Sequence, residues 1–293
     1  MLKRQTRARV TMAPSRYDLH IPALRFVKVD DLVLHEQHDP ARSTALVERL
    51  ERERVLRNPP VVAPMGNDDG RYVVLDGANR SSAARALGLP HLVVQVVDYD
   101  DPDLHLSTWY HLVTGCLDCD LANRLFSAPG VTIVPLPLVQ ARAALARREI
   151  ISYIVWVEGR VDAIRGGQNL AGRVALLNVV VDAYQQRAKI YRVQNDDIDQ
   201  AQWQYGDVMA VVTFPHYEPA EIIELARSGI RLPAGITRHI IPCRALRINI
   251  PLTKLREDAP LEDKNAWLAT HVRQKLASKQ ARYYQESTWL FDE

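Results

Sequence analysis

The sequence predicts an α/β fold, of the mixed α+β kind. Short apolar, β-branched runs recur at residues 61–63, 72–75 and 92–97, each of a length suited to a buried strand. Helical patterns with recognisable start and stop signals alternate with them. Between the last two runs the chain passes from strand to helix through the tight segment Asp76-Gly77-Ala78-Asn79-Arg80.

The elements follow in order. Residues 26–34 (FVKVDDLVL) read as a strand and its lead-out. Asp39-Pro40 then opens a helix, Asp being a good N-cap and Pro favoured at the first helical position. That helix runs through ARSTALVERLERER with Leu46 and Leu50 on its buried side, and Asn58-Pro59-Pro60 ends it. After DGANR, residues 81–87 form an alanine-rich helix closed by Gly88 and Pro90. Strand, turn, helix and strand make an α/β module of about 100 residues. Further on, helices are predicted at 141–149, 169–187, 219–228 and from 261 to about 285, and strands at 150–157 and 208–214. Glu221 and Glu224 lie in the first turns of the 219–228 helix, and Gly229 is placed to cap it. The stretch LPAGITRHIIPCRALRINIPL reads as a loop followed by apolar strands. A boundary near Ser127-Ala128-Pro129-Gly130 divides the chain into an N-terminal domain, 24–127, and a C-terminal α/β domain, 128–293.

Composition narrows the function classes. The 293 residues carry 37 Lys and Arg against 35 Asp and Glu, a formal charge of +2. No global basic field therefore calls for nucleic acid or an acidic membrane. Only the arm MLKRQTRARV is locally basic, through Lys3, Arg4, Arg7 and Arg9. No apolar run has the length of a bilayer span and the arm lacks the apolar centre of a secretory signal, so a cytoplasmic setting is expected. Three cysteines make no disulfide framework; Cys116 and Cys119 have CxxC spacing, but no second pair completes a zinc site.

Chemistry-bearing residues gather in four places. DGANR stands at a helix N-terminus, where unpaired N–H groups and the helix dipole favour an anion and Arg80 adds a forked cation. A lone Asp-Gly-x-x-Arg equally fits a turn with a solvated arginine. His35-Glu36 precedes the first helix, Trp109 lies in LSTWYHLV, and Thr237-Arg238-His239 closes the segment GITRH. Each alone has an ordinary structural reading. No G-x-x-x-x-G-K-[ST] occurs, so a P-loop NTPase is not indicated.

Taken in order, His-Glu, helix, strand, then strand-DGxxR-helix and a strand ending in Val-Asp-Tyr, the chain resembles the ParB/sulfiredoxin superfamily over residues 24–101. GANR matches its phosphate-binding Gly-x-x-Arg, and SSAARALGLPHLVVQVVDYDD its usual helix and final strand. Within the superfamily the chain looks most similar to the free-serine kinases, which carry a His-Glu pair, a DGHHR-like loop, a later tryptophan and a GITRH-like segment. That resemblance covers most of 24–255. It implies phosphorylation of free L-serine to O-phospho-L-serine with ATP or ADP and Mg²⁺. It further implies Glu36 as general base, Gly77, Ala78, Asn79 and Arg80 as the nucleotide loop, and His35, Asp76, Trp109, Thr237, Arg238 and His239 around the amino acid. The loop departs from the kinases at Ala78-Asn79, where they have two histidines.

Two other classes compete. A ParB-like, DNA-associated nucleotide-binding regulator calls for a helix-turn-helix and a concentrated basic face. Neither is evident, so specific DNA binding is not expected. Sulfiredoxin-type chemistry needs a cysteine in the loop, where position 78 is alanine.

Overall fold

The computed structural model describes residues 21–66, 70–115, 129–185 and 187–283. The basic arm and Cys116 and Cys119 lie outside the described residues.

The N-terminal sheet has five strands in the order β1 (Leu24–Lys28), β6 (His91–Val96), β4 (Val61–Pro64), β5 (Tyr72–Asp76) and β2 (Leu32–Leu34). The single expected run 26–34 is two strands, β1 pairing antiparallel with β6 at one edge and β2 parallel with β5 at the other. Only the 3-10 turn Val29–Asp31 separates them. Three residues span about 10 Å at most, so the sheet must curl until its edges approach. The charged pair Asp30-Asp31 interrupts the apolar alternation where the chain turns over.

The helix α1 (Pro40–Glu53) begins where expected: the Asp39 carboxylate accepts from the N–H groups of Ala41 and Arg42, and Leu50 is buried. The helix α2 (Ala78–Ala86) begins earlier than residue 81, because Gly77 takes φ 100° and ψ 29° and releases the chain straight from β5 into helix. Ala78, Asn79 and Arg80 thus form its first turn. Both helices cover one face of the sheet, with Leu50, Ala83, Ala84 and Val74 in a common cluster.

A second sheet has six strands: β12 (Lys189–Val193), β8 (Tyr110–Thr114), β13 (Val208–Thr213), β10 (Ser152–Trp156), β11 (Val161–Arg165) and β9 (Thr132–Pro135), in that order. The helix α3 (Leu138–Ala146) starts three residues before the expected 141–149 and packs with β10 and β11. The helix α4 (Leu170–Gln185) buries Val174, Leu177, Val180, Val181 and Tyr184, and is followed by β12. Ile198–Tyr205 is α5 and Pro219–Arg227 is α6. Two short antiparallel pairs lie outside these sheets, β3 (Val55–Leu56) with β15 (Ile250–Pro251) and β7 (His105–Thr108) with β14 (Thr237–Ile240). One core cluster joins the two sheets, combining Ala63, Val73 and Leu75 with Val113, Ile154 and the buried face of α4.

Two connections cross the expected boundary near residue 127. Tyr110–Thr114 lies inside the second sheet, between β12 and β13. In the other direction, α7 (Leu252–Arg256) and α8 (Leu261–Ala277) pack their Leu252, Leu255 and Leu268 into the N-terminal cluster. α8 ends short of residue 285: Lys279 takes φ 56°, and Gln280 N–H reaches back to the Lys275 carbonyl at 2.8 Å.

The edge strand β1 is covered by α8. Asn265 accepts the Phe26 N–H at 2.8 Å and donates to the Phe26 carbonyl at 3.3 Å, closing an edge that would otherwise expose its ladder groups. Asn265→Ala removes both bonds and is expected to lower stability by about 1 to 3 kcal/mol. The urea midpoint of the variant, at unchanged slope, measures it.

Candidate active site

Both N-terminal helices start at one cavity of about 1090 Å³, whose wall includes Asp39, Pro40, Gly77, Ala78, Asn79 and Arg80. No side-chain hydrogen bond caps α2 at its N-cap residue Gly77. Gly77 makes the junction possible. A Cβ there would stand 2.9 Å from Pro60 Cβ and 3.0 Å from Pro60 Cα, in a backbone conformation that side chains resist.

Arg80 and Asn79 are more engaged than a solvated turn would leave them. Arg80 donates to the carbonyls of Asn58 at 3.0 Å and Pro59 at 2.9 Å and to the Asp76 carboxylate at 2.6 Å. Its fork therefore ties the strand β5, the helix α2 and the Asn58–Pro60 turn together. Asn79 Oδ1 accepts from the Asp39 N–H at 3.0 Å and fixes the start of α1 against the start of α2. Asp76 also holds Arg244. Burial pushes its carboxyl up, but the Arg80 and Arg244 guanidiniums outweigh this and hold it below the ordinary carboxylate range.

His35 and Glu36 are brought to the 232–237 loop across some two hundred residues. Leu232 N–H bonds to the His35 carbonyl and Gln37 N–H to the Leu232 carbonyl, both at 2.8 Å. Glu36 Oε2 accepts the Gly235 N–H at 3.0 Å, and Oε1 accepts the Thr237 N–H at 2.6 Å and the Thr237 hydroxyl at 2.5 Å. The carboxylate is thus fixed in place through both of its oxygens. His35 is 3 % exposed, and both its ring nitrogens meet protein atoms: Nδ1 the Val74 carbonyl at 2.7 Å, Nε2 the Thr237 hydroxyl at 2.8 Å.

The remaining expected residues line the same cavity. The Arg238 guanidinium lies over the Trp109 ring, 4.5 Å from its centre, and Trp109 N–H bonds to the Ile236 carbonyl. His239 bonds through Nε2 to the Tyr99 hydroxyl at 2.8 Å and stands edge-on to His35, ring centres 5.5 Å apart.

Among the wall residues that sequence reasoning missed are Arg192, His111 and Arg244. The Arg192 guanidinium lies where a Cβ on Gly235 would stand but is the movable end of its side chain; glycine is favoured there because it takes φ 76°. His111 is buried, its Nδ1 on the Tyr184 hydroxyl at 2.8 Å. Alternation along β8 and β12 marks His111 and Arg192 as facing opposite ways from Leu112 and Tyr191. Arg244 sits in an irregular loop and carries no such signal.

Two predictions follow from this geometry. Gly77→Ala is expected to destabilise the protein by about 1 to 3 kcal/mol, measured by thermal or urea unfolding. The second concerns acid. Burial lowers the pKa of His35, of His111 to about 4 and of His239 to about 3, from an ordinary 6.5. Below pH 6.5 the unfolded chain takes up protons that the folded one refuses. Stability is therefore complete above that pH and is lost as pH falls toward 3. The urea midpoint should decline across this window, and less steeply in His239→Gln.

Comparisons with known proteins bear on this arrangement. No protein-family profile matches the chain. It is 26% identical over 276 residues to the ATP-dependent L-serine kinase SbnI of Staphylococcus aureus, covering 92% of this chain and 97% of that one. It is 25% identical over 234 residues to the ADP-dependent L-serine kinase SerK of Thermococcus kodakarensis, covering 78% of this chain and 92% of that one. Among solved structures, a free serine kinase in complex with AMP aligns with a TM-score of 0.67 and 22% identity over 81% of this chain and 97% of its own. SbnI with a C-terminal truncation aligns with a TM-score of 0.64 and 24% identity over 88% of this chain and 97% of its own. In sequence and in fold, over most of its length, the chain is similar to free serine kinases.

Proposed function

We propose that this chain transfers a phosphoryl group from ATP or ADP to the hydroxyl of free L-serine, giving O-phospho-L-serine. One observation carries the reading: a carboxylate, Glu36, held by three donors at the wall of a cavity into which the uncapped N-terminus of α2 also opens. A serine hydroxyl is a poor nucleophile while protonated, and a positioned carboxylate can take its proton as the oxygen attacks phosphorus. The phosphates then sit at the α2 N-terminus, by the N–H groups of Ala78 and Asn79, where the helix dipole favours negative charge. Arg80 holds that turn in shape through Asn58, Pro59 and Asp76. Trp109, Arg238, Asp76 and His239 border the amino acid, with Thr237 and His35 behind the base.

Among the described residues no group of three or more His, Cys, Asp or Glu can hold a metal by itself. A nucleotide-borne Mg²⁺ needs only one or two protein carboxylates beside the phosphates, and Asp76, next to the α2 start, fits that requirement. Bound there, Mg²⁺ neutralises phosphate charge. No helix among the described residues is long and apolar enough to cross a membrane. With a net charge of +2, sequence-specific DNA binding is no part of this reading; nanomolar, salt-resistant DNA binding would favour the ParB-like regulator instead.

Purified protein with Mg²⁺, each of ATP, ADP and CTP, and a panel of free amino acids, read by mass spectrometry, tests the assignment. Phosphoserine is the expected product; its absence with both ATP and ADP removes the kinase reading. Glu36→Gln should lower turnover by about 10² to 10⁴ with nucleotide affinity nearly unchanged. Arg80→Ala should weaken nucleotide binding about tenfold or more and turnover with it, by calorimetry and steady-state kinetics.

A further inference from the structure

Three short contacts run in series from the Val74 carbonyl to Glu36. His35 Nδ1 lies 2.7 Å from the Val74 oxygen, His35 Nε2 lies 2.8 Å from Thr237 Oγ1, and Thr237 Oγ1 lies 2.5 Å from Glu36 Oε1. Each such contact needs one proton between its heavy atoms. The Val74 carbonyl has none to give, so Nδ1 carries a proton. The Thr237 hydroxyl has a single proton for two neighbours. With a neutral imidazole and an ionised Glu36 the chain holds two protons for three contacts. One added proton fills it, either as Glu36 O–H to Thr237 and Thr237 O–H to His35, or as imidazolium N–H to Thr237 and Thr237 O–H to the carboxylate.

We infer that Glu36, Thr237 and His35 form a relay that shares the proton released by the substrate hydroxyl, with His35 Nε2 as its far end. The inference rests on the kinase reading above for the source of that proton. As the serine O–H bond breaks and its O–P bond forms, the terminal P–O bond to the nucleotide breaks, releasing ADP from ATP or AMP from ADP, and the serine proton passes to Glu36. Thr237 then receives a proton from Oε1 while handing its own to Nε2, which leaves Thr237 unchanged, Glu36 ionised and His35 an imidazolium anchored on Val74. Thr237 and His35 are positioning residues, acting on substrate only through Glu36.

The surroundings isolate this chain from competing titrations. His239 faces the His35 ring from β14 (Thr237–Ile240), with Tyr99 on its Nε2 and the Asp76 carboxylate nearby. Tyr217, in the loop before α6, feels the Glu36 charge. His111 hydrogen-bonds to the Gly235 backbone and Arg192 packs on the same glycine. Of these groups, none is hydrogen-bonded to Thr237 or to either His35 nitrogen among the described contacts.

The test combines kinetics with a readout independent of turnover. Thr237→Val keeps size and the backbone N–H but deletes the hydroxyl. It is expected to lower kcat about tenfold or more, with little change in nucleotide KM. It should also move the acid limb of the pH–rate profile, since the hydroxyl that couples Glu36 to His35 is gone. Thr237→Ser restores both. In nitrogen-15 NMR of the whole protein, His35 should be the Nδ1–H tautomer when neutral, and its titration should shift in Glu36→Gln and in Thr237→Val. An acid limb unmoved in Thr237→Val, or a His35 titration blind to both substitutions, overturns the relay. If wild type makes no phosphoserine, the kinase reading fails, while the NMR titrations still decide whether the proton is shared.

Discussion

The hydrogen bonds that seat the Glu36 carboxylate on Gly235 and Thr237 are the constraint around which the rest of the site is arranged. They join a segment at the end of the first module to a turn two hundred residues later, and the backbone exchange of His35 and Gln37 with Leu232 holds the two in register. A carboxylate on a flexible loop would pay rotamer entropy to point at a reacting atom; one held through both oxygens is already oriented. The same turn places Gly235 where Arg192 can pack against it and Trp109 where its N–H meets Ile236.

That constraint can operate because the N-terminal sheet is curled. Its two edge strands are linked by three residues, which brings the end of β2, and with it His35 and Glu36, beside the end of β5 and the start of α2. Parallel pairing of β2 with β5 makes both strands deliver their C-terminal ends to one side. Two helix N-termini then converge there, fastened by the Asn79 to Asp39 bond. An anion-attracting rim and a fixed carboxylate are therefore consequences of one topology.

Charge in the cavity is balanced by pairing. Asp76 is held by Arg80 and Arg244, and Arg80 in turn satisfies two carbonyls of the Asn58–Pro60 turn. A half-exposed carboxylate beside two guanidiniums stays ionised, its pKa held below the ordinary carboxylate range. The three histidines of the site take the opposite course: burial favours their neutral forms, so in the resting site they serve as hydrogen-bonding groups, and His35 takes up a proton only transiently, in the inferred relay.

The sequence by itself determined the features that depend on neighbours a few residues away. Asp39-Pro40 opened α1 and Gly88 and Gly229 followed helix ends as their caps and conformations require, and the Asp76-Gly77 junction was visible because only glycine turns a strand into a helix so abruptly. The order of His-Glu, DGANR, Trp109 and GITRH singled out residues that line one cavity in the folded chain. Tertiary structure alone decided what those residues touch. It split residues 26–34 into opposite sheet edges, inserted β8 among later strands, turned Arg80 onto carbonyls, and set Thr237 between His35 and Glu36. It also recruited Arg192, His111 and Arg244. The physical reason is range: caps and periodicities are written in local backbone chemistry, whereas hydrogen bonds between residues two hundred apart exist only once the sheets have closed and fixed which loops face each other.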